Sequence, residues 1–211
     1  MSMTRGTIGW LAATLLSFAA LGVQAQAKAP EALIKEVSTD VLDAVKADKT
    51  IQAGDLRKVI ALVDQKVLPY VNFQRMTASA VGRYWKQATP DQQKRLQDEF
   101  KLLLVRTYSG ALSQVSSEQT VELRPMRSAP TDNEVVVRTE IKGKGDPIQL
   151  DYRLEKAGDG WKIYDVNVLG VWLVENYRNS FAQEIGANGI DGLIAKMAER
   201  NKSAAAAGAK S

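Results

Sequence analysis

Apolar residues recur with a helical period over the first half of this chain and with a strand period over much of the second. Leu33, Ile34, Val37, Val41, Leu42 and Val45 fall on one face of a helix over Ala32–Val45. Leu56, Val59, Ile60, Val63 and Val67 form the stripe of a second helix, from about Ile51 to Leu68, which Pro69 closes. Asn72 caps a short helix through Phe73, Met76 and Ala80, and Gly82 suits its exit. Thr89-Pro90-Asp91-Gln92 is the sharpest start signal: an N-cap Thr, Pro at the first helical position and Gln where a capping box needs it. The helix it opens is expected to reach about Leu112, with Leu96, Phe100, Leu103, Leu104, Tyr108 and Ala111 inward.

After Ser116 the period falls to two. Thr120–Pro125 reads as a short strand. Val135, Val137, Thr139 and Ile141 alternate with Val136, Arg138, Glu140 and Lys142; Ile148, Leu150, Tyr152 and Leu154 alternate with Gln149, Asp151, Arg153 and Glu155. One face in and one face out is the mark of an antiparallel sheet with a wet side. The fourth strand breaks parity: Trp161 and Ile163 share one face, Tyr164, Val166 and Val168 the other. A bulge near Ile163-Tyr164 that brings both sets inward is one solution; burial on both sides is the alternative. Gly170 is expected to end the sheet. Leu173, Val174, Tyr177, Phe181 and Ile185 mark a further helix, and Gly189-Ile190-Asp191-Gly192 opens the last, with Leu193, Ile194 and Met197 inward. Helices, then a meander of four strands over about 118–169, then helices again make an α+β domain whose sheet is covered on one face.

The N-terminus stands apart from this domain. Ile8–Val23 is free of charge, follows a single basic residue (Arg5) and precedes Gln24-Ala25-Gln26-Ala27. That is a secretory signal over residues 1–27, cut after Ala27 or, as second choice, Ala25. Its apolar run is short for a bilayer, which takes about 20 residues. The domain is assigned to residues 28–202, and the low-complexity end 203–211 is expected to fray. An exported chain without Cys holds no disulfides or zinc–thiolate sites, and without His it lacks the commonest general base. The formal charge of +4 is mild and spread along the chain, with no dense basic stripe for nucleic acid.

No nucleotide, metal or other cofactor motif is present. Gly143-Lys144-Gly145 is a hairpin turn, since no helix opens after it. Asp151 has outward parity and is read as solvated. Asp165 lies where parity is ambiguous and is the one carboxylate placed for a cleft. The inward apolar residues fit a filled core or a lined cavity; periodicity does not separate the two.

A series of short blocks bears on that choice. Gly82-Arg83-Tyr84-Trp85 with Ala88-Thr89-Pro90-Asp91-Gln92 resembles the G-R-x-W-x-x-A-T-P-x-Q segment of the MlaC, or toluene-tolerance, family. Leu103–Tyr108, Val137-Arg138-Thr139, Tyr152-Arg153-Leu154, Trp161–Val166, Gly170–Arg178 and Gly189–Ile194 follow in the family's order, from about Ala32 to Met197. Trp172 departs from the small residue expected there. The resemblance implies an NTF2-like cone, a curved, mainly antiparallel four-stranded sheet with helices on one face, plus a helical subdomain. It implies a periplasmic carrier of phospholipid with no cofactor besides that cargo. Its partners would be an inner-membrane ABC transporter with an MCE-type ring and an outer-membrane lipoprotein–porin complex, and its role the maintenance of outer-membrane lipid asymmetry. A monomer is expected. The tail-lining residues expected on this reading are Leu104, Tyr108, Val135, Val137, Ile141, Leu150, Tyr152, Leu154, Tyr164 and Val166, with Arg83 as the named candidate at the mouth. Two rival readings use the same residues: a pocket enzyme for a small apolar substrate, with Asp165 and Tyr152 or Tyr164 as acid and base, and a periplasmic adaptor whose groove takes a protein helix.

Overall fold

The computed structural model describes residues 28–126, 132–158 and 160–208. The signal segment, residues 1–27, lies outside them. Six helices and five strands follow in the order α1 (Pro30–Ala47), α2 (Lys49–Gln52), α3 (Leu56–Lys66), α4 (Phe73–Val81), α5 (Pro90–Ser109), β1 (Thr120–Arg124), β2 (Glu134–Lys142), β3 (Ile148–Ala157), β4 (Gly160–Val168), β5 (Val171–Trp172) and α6 (Leu173–Gly208). Short 3-10 turns at Leu68–Tyr70 and Gly82–Gln87 link helices, and one at Gly110–Gln114 leads from α5 towards β1.

Local chemistry explains most of these boundaries. The second expected helix is broken in two. Gly54 takes φ +83°, and Asp55 then starts α3 afresh by accepting the amides of Arg57 and Lys58. Asn72 caps α4 through the Arg75 amide at 3.0 Å. At the head of α5 the capping box closes both ways: Thr89 Oγ1 accepts the Gln92 amide and Gln92 Oε1 accepts the Thr89 amide. Gly189, at φ 72° and ψ 179°, interrupts α6 and lets its second half turn back. The backbone then stays helical to Gly208, so most of the expected frayed end continues this helix, as its alanines favour.

The sheet is antiparallel in simple order β1-β2-β3-β4-β5. It has five strands rather than four, because the chain turns at Leu169-Gly170 and pairs Val171 and Trp172 back onto β4. A bulge does lie in β4. Arg153 pairs with Asp165 but Leu154 pairs with Ile163, so Tyr164 is the extra residue. Ile163 and Val166 therefore both face inward while Tyr164 does not; a bulge realigns the residues on its two sides by leaving one residue out of the ladder.

Apolar burial falls into three clusters. Phe100, Leu96 and Leu103 of α5 pack with α4 and with Tyr177, Phe181 and Ile194 of α6. Leu33, Ile34 and Val37 of α1 pack on Val135, Val137, Leu154 and Ile163 of the sheet. Val45 and Ile51 meet Val59, Leu62 and Val105. Thus α1 covers the inner sheet face around Val135, Val137, Leu154 and Ile163, and the cleft lies over the end of that face where β2 finishes and β3 begins.

Candidate functional site: an apolar cleft between sheet and helices

The cleft has two lobes. The larger, about 380 Å³, lies between the sheet and α5. Its walls are Ile141, Ile148, Leu150, Val166 and Val168 from the sheet, Leu104, Val105 and Tyr108 from α5, Val63 from α3 and Val67 just past its end, and Phe73, Met76 and Leu173. The smaller, about 230 Å³, reaches under α1 to Ile34, Val37, Ser38, Val41 and Tyr152. Val67, Val71, Leu112, Val115, Ile141, Leu150 and Val166 line both, so the lobes are continuous. The larger lobe is within the size range of small-molecule sites. Among the described residues Lys101 is the one charged member of the lining, and its ammonium is held by Asp64 at 2.9 Å. Tyr152 hydroxyl meets Ser38 Oγ at 3.2 Å, and burial pushes its phenol pKa up. The cleft therefore offers hydrocarbon walls and almost no ionic chemistry.

The expected lining residues divide. Leu104 and Tyr108 line the larger lobe, Tyr152 the smaller, and Ile141, Leu150 and Val166 both. Val135, Val137 and Leu154 share the inward face but are sealed beneath α1 in solid core; Val137 and Leu154 have no exposed surface. Tyr164, as the bulge residue, points to the other face. Its hydroxyl donates to Glu134 at 2.9 Å and the Arg75 guanidinium lies 3.7 Å from its ring centroid. Arg83 stays away from the cleft as well. It stacks on Tyr84 in a shallow groove of about 560 Å³ on the outer side of α4, among Arg75, Lys86 and Arg178. The contributions of α1, α3, Phe73 and Met76 were not singled out from the sequence. Their signal was present as apolar stripes, but a stripe reads the same whether it meets side chains or space.

The two aspartates on the outer sheet face have structural partners. Asp151 is buried rather than solvated, with Gln149 donating to Oδ2 at 2.9 Å and Arg138 at 3.9 Å. Outward parity did not mean water here, because β3 is the central strand and the Gln149 and Arg138 side chains beside Asp151 crowd its carboxylate. Asp165 is 1% exposed and lies in the same layer, not in the cleft. It accepts from the backbone of Val166 and Val174 and from Arg153, fastening the head of α6 to β4. Arg153 also pairs with Glu175 and stacks 3.9 Å over Trp172. Burial pushes the Asp165 carboxyl pKa up against the opposing pull of the Val174 amide and Arg153. A raised folded value favours the protonated form in the fold. Stability from this group is then full below its ordinary value of 3.8 and is lost as pH rises through the folded value. Urea melts of wild type and Asp165→Asn at several pH values should reveal this: the wild type's advantage shrinks as pH rises above 3.8. Lipid content of the two proteins should be equal, since this side chain does not touch the cleft.

With that geometry in place, comparison with known proteins is specific. The phospholipid-binding protein of Ralstonia solanacearum, solved in complex with a phospholipid, is 48% identical and superposes with a TM-score of 0.79; the match covers 83% of this chain and 98% of that one. The Toluene tolerance protein ttg2D of Pseudomonas putida is 26% identical over 197 residues, 90% of each chain. The Intermembrane phospholipid transport system binding protein MlaC of Haemophilus influenzae is 25% identical over 172 residues, 80% of each. The family described as MlaC protein matches residues 35–199, a span that takes in the sheet and most of the cleft lining, and on that match the chain belongs to the MlaC family.

Proposed function

We propose that this protein is a periplasmic phospholipid carrier, exported by the signal at 1–27, that moves phospholipid between the outer and inner membranes and so maintains outer-membrane lipid asymmetry. The observation that carries the reading is the continuous two-lobed apolar cleft, whose one charged lining residue among those described, Lys101, is already paired. A phospholipid-bound relative of the same fold supports it. The donor and acceptor would be an inner-membrane ABC transporter with an MCE-type ring and an outer-membrane lipoprotein–porin complex, with the carrier acting as a monomer.

The energetics suit a shuttle. Burying a tail gains about 0.8 kcal/mol per CH₂, or roughly 12 kcal/mol for a sixteen-carbon chain as an upper figure. Escape into water is therefore slow. A bilayer offers the tail a similar environment, so exchange with a membrane is close to balanced and docking can set its direction. No bond needs to be made or broken. The nearest approach to catalytic apparatus, Asp165, has its oxygens engaged outside the cleft. Tails rather than headgroup should dominate binding. Incubation with mixed zwitterionic and anionic phospholipids, followed by extraction, tests both points. The account expects both headgroup classes to load and to return chemically intact. Release of fatty acid or headgroup would establish an enzyme instead.

A further inference from the structure

We propose that the groove on the outer side of α4 docks an acidic segment of a protein partner, one that hands phospholipid to this carrier or takes it away. The inference rests on the carrier reading and adds the surface by which the carrier recognises that partner. The groove, about 560 Å³, lies between α4, the turn Gly82–Gln87 and the first half of α6. Arg75, Arg83, Lys86 and Arg178 contribute to its lining, and no Asp or Glu does. Arg75 is neutralised by Glu134 and Glu155. Arg83, Lys86 and Arg178 are exposed, and among the described residues none of them forms an ion pair. The outer sheet face is different: there Arg124 pairs with Glu140, Lys142 with Glu122, and Arg153 with Asp165 and Glu175. That face answers its own charge, and the groove does not.

Two features point to a folded protein rather than a bilayer. The first is that the arginines are held in place. Arg83 donates to the Tyr84 hydroxyl at 2.9 Å, and its guanidinium lies 4.9 Å from the centroid of that ring. Arg178 Nε donates to the Ser79 carbonyl at 3.1 Å, which leaves both terminal nitrogens to meet a carboxylate. Attraction to an anionic membrane needs no such positioning, and it takes clusters of about four to eight Lys or Arg; three are too few. The second is composition. Arg, Tyr and Trp carry most of the binding energy at protein interfaces. Here Arg83, Arg178, Tyr84 and Trp85 stand beside the small side chains of Ala78 and Ala182. Tyr84 and Trp85 are packed against the helical core, so they make a firm wall. The block Gly82-Arg83-Tyr84-Trp85 thus builds this groove and takes no part in the cleft. The groove is also close to the cargo. Arg75, Ala78 and Ser79 of α4 line it, while Phe73 and Met76 of the same helix line the larger lobe. A partner seated there is one helix away from the lipid.

The test is binding of the lipid-loaded carrier to the purified inner-membrane ABC transporter with its MCE-type ring and to the outer-membrane lipoprotein–porin complex, each in detergent, by biolayer interferometry over a range of salt. The groove variant is Arg83→Glu with Arg178→Glu. Arg57→Glu with Lys156→Glu makes the same change in net charge at exposed positions outside groove and cleft. Both variants should melt with wild type and co-purify with as much phospholipid. The groove variant should bind at least one complex about tenfold more weakly or worse, and the control should stay within about twofold. Wild-type binding to that complex should weaken as salt rises. Wild type that binds neither complex, a groove variant within about twofold of it on both, or a control that loses as much would overturn the docking groove. Flotation of wild type with phosphatidylglycerol vesicles that the groove variant loses would overturn it in favour of a membrane contact. Loss of bound phospholipid from the groove variant would overturn it by placing these arginines on the lipid's path. Wild type that binds a complex through the groove but co-purifies with no phospholipid would fail the carrier reading and leave the docking standing.

Discussion

Leu150→Trp is expected to empty the cleft while leaving the protein folded. Leu150 lines both lobes, where they join, so an indole there occupies the space through which a tail must run. Because that space is unfilled, the added atoms displace cargo rather than neighbours. The cost in stability should stay below ~1 kcal/mol, whereas the same change in packed core costs about 1–3 kcal/mol or more. Val137→Trp supplies that comparison. Val137 faces the same way from the adjacent strand but is wholly buried beneath α1. It should lose stability heavily. Chemical denaturation of both variants, with lipid extraction of each, separates the two effects. Full lipid loading in Leu150→Trp would mean that the junction is not on the path of the tails.

Phe100→Ala should give the largest loss of stability. Phe100 is fully buried at the centre of the helical core. Tyr177 and Phe181 meet it edge-on, with centroids 5.1 and 5.3 Å away, and Phe73 lies at 5.9 Å. Truncation removes a ring from a site that neighbouring helices cannot readily collapse into, at a cost of about 3–5 kcal/mol. For a domain of this size that lowers the melting temperature by roughly 10–15 °C. Phe73 also lines the larger lobe, so its loosening carries the defect into the cleft wall. Added phospholipid should recover part of the loss, because a ligand that binds only the folded state stabilises it by mass action. A fall of under ~1 kcal/mol would show that α4, α5 and α6 are less tightly packed than their rings indicate.

Much of this architecture was legible because it rests on local rules. The capping box at Thr89, the Asn72 cap and the glycine break at Gly189 each follow from one or two residues, and the alternation along β2 and β3 from a single continuous run in each strand. The parity slip in β4 correctly pointed to a bulge, but not to which residue it would expel. Ile163 and Tyr164 both suit a strand's inner face, and only the pairing with β3 makes Tyr164 the odd one out. The fifth strand is two residues long and carries no periodicity to read. Asp151 looked solvated because parity reports a face, not which neighbouring side chains, here Gln149 and Arg138, crowd it. The cleft was the least legible feature. Val137 and Leu150 have the same parity and similar character on adjacent strands. They differ in whether α1 lies above them, which is a matter of tertiary placement. Likewise, Val63 on α3, Val67 just past its end and Val41 on α1 have stripes that suit core and cleft alike.

The most direct test of the account is native mass spectrometry of the gently purified protein, followed by identification of what dissociates from it. The account predicts a discrete mass excess that resolves into intact phospholipid of more than one headgroup class, present in wild type and absent in Leu150→Trp. Wild type that flies at the mass of the bare chain, or an equal mass excess in wild type and Leu150→Trp, would contradict it.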